Sequence, residues 1–267
     1  MAPLASLRKK EIQPHHPKLF YTPGYVWHIT QRCHNRDFLL KFKHDRKRWL
    51  HWLLYAKKKY NLIILNYSLT SNHIHLVVYD DGRRNIIPNS MMLVSSRVAL
   101  EYNKRKKRSG AFWEDNYHAS AIGTESHLHR CLIYIDLNMV RAKVVDHPKD
   151  WPHCGYHEIT GKRFRYLLID KSKLMGLLGI NSTDELRRIY EIWVKENLSS
   201  ERLKRESMWT ESIAIGDRDF VEKFKKKLDL KVKYRKIEET EDNKGGFLLK
   251  ECQGKYLEAI LRTKNQF

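Results

Sequence analysis

The chain has 267 residues, with 51 Lys+Arg against 31 Asp+Glu, a formal net charge of +20 and a pI near 9.7. Its 42% apolar content excludes a wholly disordered chain, and its longest purely aliphatic run, Leu62–Leu65, falls far short of the ~20 residues that cross a bilayer. Cys33, Cys131, Cys154 and Cys252 are widely spaced with no C-x-x-C pair, which excludes a disulfide framework or zinc cluster and fits a reducing compartment.

Residues 1–20 read as a loose basic tail, and MAPLASLRKKEIQ has no apolar h-region, so no signal peptide is expected. Gly24 opens an alternating strand, Tyr25 to Thr30. Trp49, Trp52, Leu53 and Ala56 recur at helical spacing and predict an amphipathic helix over 44–60. Residues 62–69 and 73–79 read as two strands joined by the short polar link Thr70-Ser71-Asn72, a hairpin. Pro88 sits in the first turn of a helix that runs to about Lys107 and stops at Ser109-Gly110. Phe112 to Ile122 reads as extended, and one helix is expected from Thr124-Glu125 to Ala142, with Pro148 and Pro152 beyond it. Composition changes near 158–165. Residues 21–160 read as an α+β unit; residues 161–267 read as a helical extension, with helical patterns at 184–197, 217–228 and 253–262.

A strongly basic chain implies a polyanionic partner, most often nucleic acid. Residues 1–160 hold 26 basic against 13 acidic side chains, so the folded body itself carries the excess. The densest run is Lys104-Arg105-Lys106-Lys107-Arg108, which suits either a helix C-terminus or phosphate contacts.

Chemistry enters at NHIHLVV. On a strand, His73 and His75 point to one face while Ile74, Leu76 and Val78 point to the other. Two imidazoles on one rigid face are either hydrogen-bonded histidines or half of a divalent-metal site. Val77 stands where a histidine triad needs its third His, and Tyr79-Asp80-Asp81 does not supply a metallo-β-lactamase cluster, so a third ligand must come from elsewhere. In 124–142, Leu128, Leu132, Ile135 and Met139 form an apolar stripe. Arg130, Tyr134, Asn138 and Arg141 form a second, polar stripe. That stripe is either a wet surface or a phosphodiester site, with Tyr134 as nucleophile, Asn138 as an oxygen ligand and the arginines on phosphates. A phenol with a pKa near 10 needs help at neutral pH, and a divalent ion on His73, His75 and Asn138 would polarise the phosphate; mixed N/O ligation suits Mn²⁺ or Mg²⁺.

Four blocks in order then resemble a known family, the REP-associated tyrosine transposases within the single-tyrosine HUH transposases. They are Gly24-Tyr25 through His28-Ile29-Thr30-Gln31-Arg32 to Asn35-Arg36; Tyr67 with Ser71 to Leu76; Gly110 to Glu114 with Tyr117; and Tyr134 to Ala142 followed by Pro148, Trp151-Pro152 and Tyr156. A weaker likeness continues at Ile215-Gly216 and Phe220-Val221. The resemblance implies an antiparallel sheet flanked by helices with the HUH strand central. It implies a cytoplasmic, nucleoid-associated endonuclease and strand-transferase acting on single-stranded, hairpin-forming DNA, with Mg²⁺ or Mn²⁺ as cofactor. His73 and His75 would be its HUH histidines, Asn138 the third ligand, and Tyr134 the nucleophile that leaves a 5′-phosphotyrosine and a free 3′-OH. Arg32, Arg36, Arg130, Arg141 and the run Lys104 to Arg108 are the expected DNA contacts.

Two positions depart from the family pattern. Met139 stands where proline is usual and leaves the helix free to continue, and Leu69-Thr70-Ser71 replaces Met-Pro before Asn-His. These departures keep a second reading open, a silent protein that binds structured nucleic acid; a histidine-ligated hydrolase of small phosphates is a third. Tyr117 is the alternative nucleophile. His28 could hydrogen-bond within the site but reads first as a core histidine; Trp27, Trp49 and Trp52 read as core rather than base-stacking platforms, and His127 and His129 as surface.

Overall fold

The computed structural model describes residues 24–123, 125–163, 165–198, 203–228, 235–240 and 246–251. The expected tail over 1–20 and the helical pattern at 253–262 lie outside them. Strand β1 (Val26–Arg32) leads to helix α1 (Lys43–Tyr60), the hairpin β2 (Ile63–Leu69) and β3 (His73–Tyr79), and helix α2 (Ile86–Lys106). Strand β4 (His118–Ile122) precedes α3 (Glu125–Asp136) and α4 (Asn138–Arg141). The rest comprises α5 (Tyr156–Ile159), α6 (Lys171–Leu177), α7 (Thr183–Asn197), α8 (Met208–Glu211), β5 (Ala214–Gly216), α9 (Arg218–Lys227), β6 (Arg235–Glu239) and β7 (Phe247–Glu251). No helix among the described residues is long and apolar enough to cross a membrane.

The α+β class holds. Among the described residues one sheet of seven strands runs β2-β3-β1-β4-β5-β7-β6, with β3 and β1 inside it. All pairings are antiparallel except β4 with β5. The C-terminal part therefore differs from a purely helical extension: it adds three strands to the sheet. They are short, and their signal is weak because β6 is mostly charged (RKIEE). Close backbone approach explains the Gly216–Phe220 likeness. A Cβ on Gly216 would lie 2.4 Å from the Phe220 ring, and one on Gly123 of the neighbouring strand end 2.8 Å from it.

Strand register sorts the side chains. Trp27 lies opposite Val78, Ile29 opposite Leu76 and Gln31 opposite Ile74, which makes an apolar face. Helix α2 covers that face, burying Ile87, Met91, Val94 and Val98, and its Ser95 hydroxyl donates to Gln31 Oε1 at 2.8 Å. Helix α1 packs beside α2 through the bidentate Arg48–Glu101 pair. The other face carries His73, His75, His28, Thr30 and Ser120 and lies under α3, α4 and α8. The expected helix over 124–142 is interrupted at Leu137 (φ −78°, ψ 2°). The backbone bonds Leu137 N to Ile133 O and Arg141 N to Leu137 O bridge the break, so the helical path carries on across it. Phe112 to Tyr117, expected to be extended, is irregular; the strand begins only at His118.

Gly155, just before α5, sits against β2. A Cβ there would meet Asn66 Oδ1 at 1.9 Å and Ile169 Cδ1 at 2.8 Å, whereas a Cβ on Gly176 in α6 meets nothing within 4 Å. Gly155→Ala is expected to lower unfolding free energy by about 1–3 kcal/mol, and Gly176→Ala to leave it unchanged or raise it by up to ~1 kcal/mol. Urea unfolding of the two variants checks the contrast; equal effects would contradict the packing described.

Candidate active site

His75 is the centre of the site. It is 1% exposed on a strand flanked by β1 and β2. Its Nε2 lies 2.7 Å from Asn138 Nδ2 and its Nδ1 2.9 Å from His28 Nε2. An amide nitrogen only donates, so His75 Nε2 is the acceptor and the ring proton sits on Nδ1, which donates to His28. His73 follows the same logic. Its Nδ1 lies 2.7 Å from Asn72 Oδ1, an acceptor, and 2.9 Å from Thr70 Oγ1, so it carries the proton and leaves the Nε2 lone pair free of it. The Thr70-Ser71-Asn72 turn thus orients the first histidine. The two rings stand edge to face with centroids 4.9 Å apart.

Burial keeps these rings neutral. His28 is pushed down to about 3, by burial first and the charge of His118 second. His73 falls to about 4, by burial and then Arg32 and Arg141. His75 lies well below the ordinary imidazole value, by burial and then its two histidine neighbours. Neutral imidazoles are what a metal ion requires. Among the described residues no group of three or more His, Cys, Asp and Glu is placed to hold an ion. The donor set here is instead two imidazoles and one amide, and a half-turn of the Asn138 amide would present its oxygen where the nitrogen now lies. This neutral N/O set fits a divalent ion.

Tyr134 comes to the same place from α3. Its ring centroid is 6.1 Å from that of His75, with the planes at 87°. The Arg141 guanidinium lies over the phenol ring at 3.9 Å and donates to Tyr134 O at 2.6 Å. The polar stripe is therefore no wet surface: Tyr134 is 6% exposed and Asn138 9%. The wet-face expectation fails because the C-terminal part covers it. Trp209 of α8, fully buried, packs on Tyr134 with centroids 5.8 Å apart. Glu206 accepts from Trp209 Nε1 at 3.1 Å and pairs with Arg130 at 3.3 Å. Burial pushes the Tyr134 phenol above 10, with Arg141 opposing the rise.

The remaining expected contacts divide. Arg32 ends β1 opposite His73 and lies 3.8 Å from Glu114. The carbonyl of exposed Arg36 accepts from Asn72 Nδ2 at 3.1 Å, beside the His73 turn. Of the basic run, Lys104, Lys106 and Lys107 are exposed, Arg105 pairs with Asp45, and Arg108 donates to Asn103 Oδ1 and Ala111 O at the end of α2. Tyr117 is half-buried against the core. His127 is buried, with its Nε2 3.2 Å from where a Cβ on Gly246 would sit, and His129 packs on Trp193 of α7 with centroids 3.9 Å apart, so neither is the surface residue expected. The residue that sequence reasoning undervalued is His28. The signal was present, since the strand alternation of WHIT puts His28 and Thr30 on one face, but only the β1–β3 register shows that this is the His75 face.

A family model described as IS200-like transposase matches residues 21–138. No curated protein matches. Among solved structures, the chain is similar to a REP-associated tyrosine transposase bound to a REP hairpin, at 15% identity and a TM-score of 0.48, covering 64% of this chain and 90% of that one.

Folded-state pKa values below the unfolded 6.5 mean that the unfolded chain binds more protons between about pH 4 and 6.5, so stability there rises with pH. His28, His73, His75, His129 and His153 all act in this sense, while Asp136, raised by burial to about 7, acts in the opposite one. The thermal midpoint of the metal-free protein is expected to climb from pH 4 to pH 6.5; a flat or falling profile would contradict it. The matched segment, residues 21–138, carries Tyr134, Asn138 and both site histidines of the HIH strand, and over it the chain is similar to the IS200-like transposases.

Proposed function

We propose that this chain is a single-tyrosine transposase of the REP-associated type, cutting and rejoining single-stranded, hairpin-forming DNA with a divalent metal, Mn²⁺ or Mg²⁺, held by His73, His75 and Asn138. The observation that carries the reading is the convergence of Asn138 and Tyr134, four residues apart on one helical segment, upon His75 of a distant strand. The motif resemblance and the family match support it. When bound, the metal would supply charge to polarise a phosphate oxygen.

The chain's own residues do the rest. Tyr134 Oη attacks phosphorus; the O–P bond to tyrosine forms as the bond from phosphorus to the 3′-oxygen breaks. The phenol proton leaves, and the departing 3′-oxygen ends as a free hydroxyl. The phosphodiester energy is retained in a 5′-phosphotyrosine, so a DNA 3′-hydroxyl can reverse the step and join new ends. Arg141 stacks on the phenol and fixes its approach. His28 accepts the His75 Nδ1 proton and so holds the Nε2 lone pair toward Asn138.

One observation favours a second reading, binding without cutting: Tyr134 is 6% exposed beneath Trp209. The second reading predicts salt-sensitive hairpin binding with no covalent product under any metal.

Labelled hairpin DNA incubated with the protein and Mn²⁺, then run on a denaturing gel, is expected to give a protein-linked label that is lost on chelation and in Tyr134→Phe. Adduct formation by Tyr134→Phe would dismiss this nucleophile. Independently, His28→Leu is expected to weaken Mn²⁺ binding, read by electron paramagnetic resonance, about 10- to 100-fold, with His28→Gln intermediate. Unchanged Mn²⁺ affinity in both variants would remove His28 from the site.

A further inference from the structure

Two large aromatic side chains, Phe38 and Phe42, are 65% and 54% exposed. Both belong to the segment between the end of β1 and the start of α1. This segment is braced against the turn that orients His73. Cys33 N donates to Asn72 O at 2.7 Å, Leu40 N to Ser71 O at 2.9 Å, and Asn72 Nδ2 to Arg36 O at 3.1 Å. A turn closed by Lys41 N to Phe38 O at 3.0 Å separates the two rings, and Arg46 Nη1 ties the carbonyls of Leu40 and Lys41 at 2.8 and 2.6 Å. The rings therefore stand on a fixed support.

Cations surround them. Residues 32–48 hold seven Lys and Arg against two Asp, and one of these, Asp45, is taken by Arg105. That pair draws the basic C-terminal end of α2 alongside, and Lys106 Nζ lies 5.2 Å over the Phe42 ring. The exposed aromatics thus alternate with Arg36, Lys41, Lys106 and Lys107, and one end of the strip meets the His73 turn.

An apolar protein surface docking here would have to strip water from these cations. A duplex would satisfy the cations but offers the rings no base faces. An unpaired nucleic-acid strand supplies both phosphates and π-faces. We propose that Phe38 and Phe42 are stacking platforms for unpaired bases of a strand whose phosphates run along Arg36, Lys41, Lys106 and Lys107 toward His73. This rests on the nucleic-acid reading above and adds Phe38, Lys41 and Phe42, which the family blocks do not contain.

The test uses the full chain with chelator, so that no strand is cut, and fluorescence anisotropy on two labelled DNAs: a blunt hairpin and the same hairpin with a single-stranded extension. Phe38→Ala and Phe42→Ala are expected to weaken binding of the extended hairpin about 5- to 100-fold each, to leave the blunt hairpin within about 2-fold, and to keep the salt dependence. Phe38→Trp should restore affinity. Lys106→Ala with Lys107→Ala should instead lower the salt slope on the extended hairpin and leave that of the blunt hairpin unchanged. Both aromatics are exposed, so thermal midpoints should not move, and a variant whose midpoint did fall would contradict the braced, solvent-facing placement. Equal losses on both DNAs, or none, would overturn the platform. Wild-type binding to both DNAs alike would sink the strip but leave the nucleic-acid reading; wild-type binding to neither would sink both.

Discussion

The bond from Asn138 to His75 crosses the boundary between helix and sheet, and the arrangement of the site depends on it. It sets the tautomer of His75, which in turn sets the donor–acceptor sense toward His28. It also fixes the rotation of the α3–α4 segment, since Asn138 reaches β3 only if Tyr134, one turn earlier, faces the same way. The apolar stripe meanwhile stays in the core, where Leu128, Leu132, Ile135 and Met139 are all buried.

A polar network on the far side of α3 holds that rotation. Asn66 of β2 donates to Leu132 O at 3.3 Å and to Tyr190 Oη at 3.2 Å, and Tyr190 donates to Asp136 Oδ2 at 2.6 Å. Tyr190 belongs to α7, so the C-terminal part clamps the helix that carries the phenol. Trp209 and Glu206 clamp it again from α8. Fully buried Asp136 has its carboxyl raised to about 7 by burial, opposed by its hydrogen bonds from Tyr190 and Asn66, so its charge changes near neutrality inside this clamp. The strands and helices beyond residue 160 thus shape the site rather than hang beside it.

Much of this was legible locally. The alternation of NHIHLVV placed both histidines on one strand face, and the 3.6-residue spacing placed Tyr134 and Asn138 on one helical stripe. The structure brings those four side chains together. The same stripe was open to reading as wet, because periodicity reports which residues share a face and not what covers it. His127 and His129 read as surface for the same reason: what lies against them, Gly246 and Trp193 respectively, comes far later in the chain.

The sequence alone determined the repertoire: strands, helices, a paired-imidazole face, a phenol, and a charge that seeks polyanions. Those follow from spacing and composition, which act over a few residues. Tertiary structure decided that His28 faces His75, that Trp209 roofs Tyr134, and that charged Arg235–Glu239 ends a seven-stranded sheet. Such pairings are set by strand register and by the burial of one element on another. Neither leaves a periodic trace along the chain.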